Sequence, residues 1–459
     1  MKEPQNRWGW SISGSRTLRL VGVGFLALIL LIPIYQIGQL VKGRQGRAGE
    51  AVIDIASKWG NSQAVIGPAL VVPFTERSMS VSPTGAPALT ERPGNAVFLP
   101  NTLQASGMVN SETRERGIFS VPVYRLDLNV EGEFGRPDFA SLGLDPATAD
   151  WSRAHLVVAI SDVRAIQDQN TVQWNGKQTA FLPGTGGFSE YTNGIQAAVG
   201  AEPGVQNYRF SFPLTLNGST MLSMAPFAET TVVALESNSP NPSFKGNWLP
   251  TDRTVNSEGF RATWAIPFLG RNYPQAWTDG TSLRPAIDES LFGVELVEPV
   301  NTYSMAERSL KYAGLFLLLT FALMWLIEVL GRVRVHPIQY LLLGAALCLF
   351  YLLELSLSEH FGFGPAYALA SLAVVGMVGA YSWVIFRHRI RAATVAGAVA
   401  GLYGYLYVLL RNEDFALLMG SVALFVILGT IMYATRKVDW SEPGTVSESA
   451  PVRSAIPGV

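Results

Sequence analysis

The sequence predicts a polytopic α-helical membrane protein with six transmembrane helices and a large extracytoplasmic all-β domain, antiparallel and sandwich-like, inserted between helices 1 and 2. Three observations lead there. Apolar runs long enough to cross a bilayer, about 20 residues each, occur once near the N-terminus and then five times in close succession after residue 311. Between the first and second runs the apolar period changes to two, as in half-buried strands. The short connections after residue 330 are basic at every second position.

Composition agrees. The chain of 459 residues is 48% apolar with a mean hydropathy of +0.23, so part of it belongs in lipid. The net charge of -1 hides an acidic middle: residues 43–309 hold 19 Lys and Arg against 26 Asp and Glu, a balance of 19 − 26 = −7. That balance argues against nucleic acid as a partner. Cys348 is the single cysteine and lies in an apolar run, so the middle region holds no disulfide or thiolate metal site. His155 is the only histidine in that region, which disfavours a His-based metal site or triad there. No cofactor is expected.

Taken in order, residues 1–17 form a cytoplasmic N-terminus and residues 18–41 the first span. This apolar run exceeds the roughly 7 to 15 residues of a cleaved signal and lacks a small-x-small exit, so it reads as an uncleaved signal anchor. The later spans are residues 312–330, 338–356, 366–386, 392–410 and 415–433, followed by a tail at 434–459. Arg332 and Arg334, then Arg387, Arg389 and Arg391, then Arg436 and Lys437 mark every second connection, which places both termini inside and residues 42–311 outside, in the periplasm. Gly397 and Gly401 form a GxxxG, followed by Gly404, the pattern of close helix packing in membranes. Tyr403, Tyr405 and Tyr407 fall near the outer leaflet, where they read as interfacial anchors.

In the middle region, Val52, Ile55, Ala56 and Trp59 recur at helical spacing and Gly60 follows as a stop, which predicts a short amphipathic helix. Beyond it Tyr124, Leu126, Leu128 and Val130 alternate with polar residues, as do Phe210, Phe212, Leu214 and Leu216. Asn217-Gly218 and Asn175-Gly176 are hairpin signals. Further strands are expected at 156–160, 230–235 and 260–266. Stretches 78–95, 183–204 and 237–250 read as loops, and the region is long enough for two lobes dividing near residues 140–205.

Several segments carry a resemblance: AVIDIASKWGNSQAVIGPALVVP (51–73), RERGIFSVPVYRLDL (114–128), GSTMLSMAP (218–226), NPSFKGNWLP (241–250), SEGFRATW (257–264), ERSLKYAGLFLLLTF, VHPIQYLLLGAALCLFYLLELSLSEHFGF (335–363) and LLRNEDFALLMGSVALF. Together, and in this order, they resemble the CreD family, cell-envelope integrity proteins of the bacterial inner membrane. The Ser/Pro-rich stretch at 78–95 and the short tail depart from the family pattern. The resemblance implies a role in envelope homeostasis linked to two-component control, envelope damage, colicin tolerance and the β-lactam response. It implies no catalytic residues.

Polar residues of the helical part supply the site candidates. Glu354, Glu359 and His360, with Glu413 and Asp414 from the next outer connection, are candidates for an acidic patch that binds a cation or conducts protons. The plainer reading is that all of them sit solvated at helix ends. His336 and Gln339 flank Pro337 in a basic turn, which reads first as a helix start and second as a contact for a cytoplasmic signalling partner. The expected function is a non-enzymatic inner-membrane protein that supports envelope integrity and stress response, its periplasmic domain binding a ligand or an envelope protein and its helices the lipid bilayer. The alternatives are a transporter or channel on the five-helix bundle, or a carboxylate-based cell-wall hydrolase.

Overall fold

The structure, a computed structural model, describes residues 16–81, 87–168, 170–296, 302–331, 333–412 and 414–436. The chain divides into two compact units, one of residues 48–299 and one of residues 1–47 with 300–459. The first boundary falls inside a single helix, α1 (Arg16–Trp59). The expected first span and the expected amphipathic helix are therefore one continuous element. Residues 42–50 contain glycines but no proline, and glycines at about 1 kcal/mol each weaken a helix without breaking it. Gly60 stops it at φ +148°, where a Cβ would lie 2.7 Å from the Asn217 carbonyl oxygen.

The last turns of α1 belong to the β unit and are fastened by side chains. The Trp59 indole N–H donates to the Tyr124 carbonyl at 3.3 Å. The Arg114 guanidinium lies 4.0 Å from the centre of the Trp59 ring, and Asp54 pairs with both Lys58 and Arg116.

Seventeen strands follow among the described residues: β1 (Gln63–Val81), β2 (Pro87–Phe98), β3 (Thr102–Arg116), β4 (Phe119–Gly135), β5 (His155–Ile160), β6 (Thr171–Trp174), β7 (Lys177–Ala180), β8 (Leu182–Pro183), β9 (Gly194–Ala198), β10 (Asn207–Ser219), β11 (Met221–Met224), β12 (Thr230–Ser237), β13 (Pro242–Gly246), β14 (Asp252–Asn256), β15 (Gly259–Pro267), β16 (Ala276–Thr278) and β17 (Phe292–Leu296), with the short helix α2 (Arg284–Glu289) before the last. One sheet runs β13-β17-β11-β1-β5-β9-β8, with β2 paired to β1 and β16 to β2; the other runs β14-β15-β12-β3-β4-β10-β6-β7. Most pairs are antiparallel, but β1 with β11 and β12 with β3 are parallel. The all-β, two-sheet domain expected from alternation is present. It is mixed in direction.

Alternation decides which face is buried. In β10, Tyr208, Phe210, Phe212, Leu214 and Leu216 are buried, and Leu126, Leu128 and Val130 of β4 beside them. These residues join Leu70, Val72, Leu156 and Val158 of the other sheet in one buried cluster, which also takes in Phe139, Phe188 and Ile195. The region near 140–205 thus contributes to a common core, so the unit is one lobe.

The two hairpin signals behave differently. Asn175 and Gly176, both at positive φ (46° and 83°), join β6 to β7 as a tight turn. Asn217 and Gly218 make no turn. They continue β10 opposite Arg125 and Tyr124, and Gly218 is there because the Tyr124 ring fills the place of a Cβ. The chain turns instead at Thr220, φ +61°, leaving one sheet for the other. The stretch expected as a loop at 78–95 is mostly the arms of the β1–β2 pair, in register from Leu70–Phe98 to Val81–Pro87; the expected loops at 183–204 and 237–250 include β9 and β13. β13, with no buried residue, is held by backbone pairing rather than by side-chain pattern, whereas β9 is short and rich in small residues, which hides its burial.

The other unit contains α3 (Thr302–Lys311), α4 (Ala313–Gly331), α5 (Pro337–Phe361), α6 (Phe363–Phe386), α7 (Arg389–Arg411) and α8 (Ala416–Thr435). With the N-terminal part of α1, five of these are long and apolar enough to cross a membrane, six in all among the described residues. Leu30 and Ile34 of α1 share a buried cluster with Phe316 and Phe321 of α4, Tyr340, Leu347 and Phe350 of α5, Tyr367 of α6 and Tyr403 of α7. Outward, Leu372, Val384, Leu417 and Phe425 are exposed, the apolar surface that a membrane-spanning helix presents to lipid.

Two substitutions test the β core. Leu126→Ala is expected to cost about 2–5 kcal/mol. Gly132→Ala, whose Cβ would meet the Thr102 carbonyl and the Phe210 ring, is expected to lower stability although it adds only a methyl group. Thermal unfolding of the full-length protein in detergent reads both, and an unchanged midpoint for Gly132→Ala would contradict this packing.

Candidate functional site

The bundle separates the candidates that sequence grouped together. Glu354 is fully enclosed. It lies seven residues before the end of α5, about 10 Å of helical rise, so the solvated helix end expected for it is not found. One carboxyl oxygen accepts the Ser309 hydroxyl of α3 at 2.9 Å, and the other, Oε1, has no partner. Around it, Phe350 packs on Tyr403 at 4.2 Å between ring centres and on Tyr367 at 5.4 Å. The Tyr367 hydroxyl donates to the Tyr403 carbonyl at 2.7 Å.

Glu359 is one and a half turns further along α5, a different setting. Arg44 lies 3.6 Å from it and the Tyr303 hydroxyl donates to it at 3.1 Å. Burial, together with the Glu359 charge, pushes the Tyr303 phenol up to about 12. His360 and Asp414 are exposed, and Glu413 lies outside the described residues. The patch thus resolves into one enclosed carboxyl, one ion-paired carboxyl and two exposed groups.

His336 and Gln339 close the start of α5. The His336 Nδ1 accepts the Ile338 N–H at 3.3 Å, and the Gln339 side chain accepts the His336 N–H at 2.9 Å. This reciprocal arrangement satisfies backbone donors at a helix start. Nearby, the Tyr340 hydroxyl donates to Glu328 at 3.0 Å. A Cβ on Gly331 would meet the Arg391 guanidinium, which brings two of the basic connections together.

Gly397 and Gly401, expected to pack helices, are exposed, and a Cβ at either would meet nothing within 4 Å. Close approach occurs instead at Gly344, whose Cβ would meet Leu30 and Phe321, and at Gly379 beside Ala396. Of the tyrosines expected as interfacial anchors, Tyr403 is in the core. Its neighbours on α7 are only partly covered, Tyr405 donating to the Met419 carbonyl and Tyr407 lying under Arg411.

In the β unit, two adjoining clefts share Ser161 and Asn193. One, of about 210 Å³, runs past Ala64, Ile66 and Ala159 to Tyr191, Arg284 and Asp288. There the Tyr191 hydroxyl donates to Asp288 at 2.7 Å, Arg284 lies 3.5 Å from Asp288, and its guanidinium lies 5.3 Å from the Tyr191 ring centre. Burial and the Asp288 charge raise the Tyr191 phenol above its ordinary value. The second cleft is bounded by Asp162 and Arg164. Arg164 grips Asp162 through Nε at 2.9 Å and Nη2 at 2.8 Å, and Asn61 Nδ2 donates to the same carboxylate at 2.8 Å. Arg164 above all holds that carboxyl down, from 3.8 to about 2. Sequence reasoning missed this site, because its residues come from four segments, each separated from the next by about 30 to 90 positions, with no shared motif.

Six apolar helices with one β domain set between the first two define a multi-pass membrane protein, its polar features divided between an enclosed carboxyl in the bundle and a cleft on the β unit. A family model described as inner membrane protein CreD matches residues 15–441. The inner membrane protein CreD of Escherichia coli (strain K12) is 31% identical over 418 residues, 90% of this chain and 91% of that protein. The chain belongs to the CreD family, and is accordingly a multi-pass inner-membrane protein.

Two outcomes follow from these contacts. Gln339→Ala is expected to cost about 0.5–1.5 kcal/mol through the lost hydrogen bond to the His336 N–H, read as a lower unfolding temperature of the full-length protein in detergent. For Arg164→Ala, the depressed Asp162 gives stability that is present above pH 3.8 and lost as pH falls towards about 2. The gap in unfolding temperature between wild type and Arg164→Ala should therefore be open at neutral pH and closed near pH 2; a gap that persists in acid would contradict it.

Proposed function

We propose that this chain is a non-enzymatic inner-membrane protein that supports envelope integrity and the envelope-stress response, its β domain facing the periplasm and binding a ligand or an envelope protein. The basic connections at Arg334, at Arg387 to Arg391 and at Arg436 support that orientation, with both termini cytoplasmic. The observation that carries the binding reading is the cleft pair around Ser161 and Asn193, where ion-paired Arg and Asp residues are fixed in place beside an apolar floor of Ile66 and Ala159. Such a mixture recognises and orients. The domain's histidine, His155, is not among the residues that line either cleft, which favours recognition over His-dependent catalysis there.

A second reading, transport through the bundle, draws on the enclosed Glu354. The experiment that separates them fills the cleft with Asn193→Arg in the full-length protein and scores survival of envelope damage in cells lacking the native chain. Binding by the β domain predicts loss of rescue at equal membrane abundance. Full rescue by Asn193→Arg, with ion flux in proteoliposomes that Glu354→Gln abolishes, would replace the binding reading by transport. Turnover of a cell-wall substrate by the purified protein, abolished by a single Asp or Glu substitution, would overturn the non-enzymatic reading.

A further inference from the structure

Three buried polar atoms in the membrane unit have no hydrogen-bond partner and belong to side chains that interact electrostatically: Glu354 Oε1 and the hydroxyls of Tyr351 and Tyr403. All three residues are at least nine-tenths buried. Tyr351 and Glu354 are three apart on α5 and so share a face; Tyr403 of α7 packs on the neighbouring Phe350, and Ser309 of α3 donates to Glu354. An isolated carboxylate in a water-free interior is costly and is retained where its charge is compensated. Among the described residues no basic side chain forms an ion pair with Glu354, and the Arg44 guanidinium is engaged by Glu359. The titratable groups that interact with this carboxyl are Tyr351 on α5, Tyr367 on α6 and Tyr403 on α7; α3 presents the Ser309 hydroxyl, and none of these supplies a positive charge.

We infer that Glu354, with the hydroxyls of Ser309, Tyr351 and Tyr403, forms an intramembrane binding site for a single monovalent cation taken from solution, a proton or an alkali ion. Carboxylate and hydroxyl oxygens suit either. The site does not depend on what the β domain binds.

The test uses the full-length protein in detergent and has two arms. In the first, unfolding temperature is followed at fixed pH and ionic strength as sodium replaces N-methylglucamine. An alkali-ion site predicts a rise that Glu354→Gln loses and Glu359→Gln retains. In the second, infrared spectra without sodium are followed against pH. A proton site predicts a protonated-carboxyl carbonyl band that titrates, is absent in Glu354→Gln, and shifts in Tyr403→Phe, which removes only a hydroxyl. If Glu354→Gln does not fold, Tyr403→Phe and the wild-type responses decide alone. A wild type with no sodium response, and with no titrating carboxyl band that Glu354→Gln removes or Tyr403→Phe shifts, overturns the inference.

Discussion

One strand holds the β domain together. The 19 residues of β1 pair in sequence with β11, β5 and β2, so that a single segment serves parts of the chain that are otherwise remote. Its central run, Ala69, Leu70, Val71 and Val72, is wholly buried on both faces. A strand of that kind must be apolar at successive rather than alternate positions, and it ties the sheet that carries the cleft to the common core. Ser161 and Asn193 owe their adjacency to the strand next to it: Ser161 follows β5, which pairs with β1, and Asn193 precedes β9, which pairs with β5.

The membrane unit obeys a different constraint. Lipid offers no hydrogen bonds, so polar groups inside the bundle must satisfy each other or be compensated. Most do. Tyr340 reaches Glu328, Tyr367 reaches the Tyr403 backbone, and Cys348 approaches the Leu30 carbonyl at 3.7 Å. The hydroxyls of Thr320, Ser371 and Ser382 are unpartnered as well, but only the group around Glu354 includes a carboxyl oxygen, which makes it chemically more informative than the exposed His360 or Asp414.

How much of this was legible follows from what each signal measures. Hydropathy counts apolar residues and gave six spans. Alternation reports one-sided burial, and it located β4, β10, β12 and β15. It is silent on strands with polar faces and on short ones built of small residues, so the β1–β2 arms, β13 and β9 read as loops. Short motifs misled where a residue serves packing: Gly218 makes room for Tyr124, and Gly397 and Gly401 face outward while Gly344 and Gly379, outside any GxxxG, make the close approaches. Glu354 was visible as a charge in an apolar run, but its enclosure was not, because that depends on Ser309 and Tyr403 arriving from other helices. The cleft was invisible for the same reason.

The parallel pairing of β1 with β11 sets a timetable for biogenesis. Gln63 lies opposite Leu222, 222 − 63 = 159 residues later, and β11 must in turn pair with β17. At about 5–20 residues per second, synthesis of that interval takes roughly 8–30 s. During that time β1 has neither its parallel partner nor a closed core. The segment must therefore pass through a period as an apolar, incompletely paired chain, when capture by chaperones or proteases competes with closure. A shortage of such factors would act on this protein first through the yield of its folding.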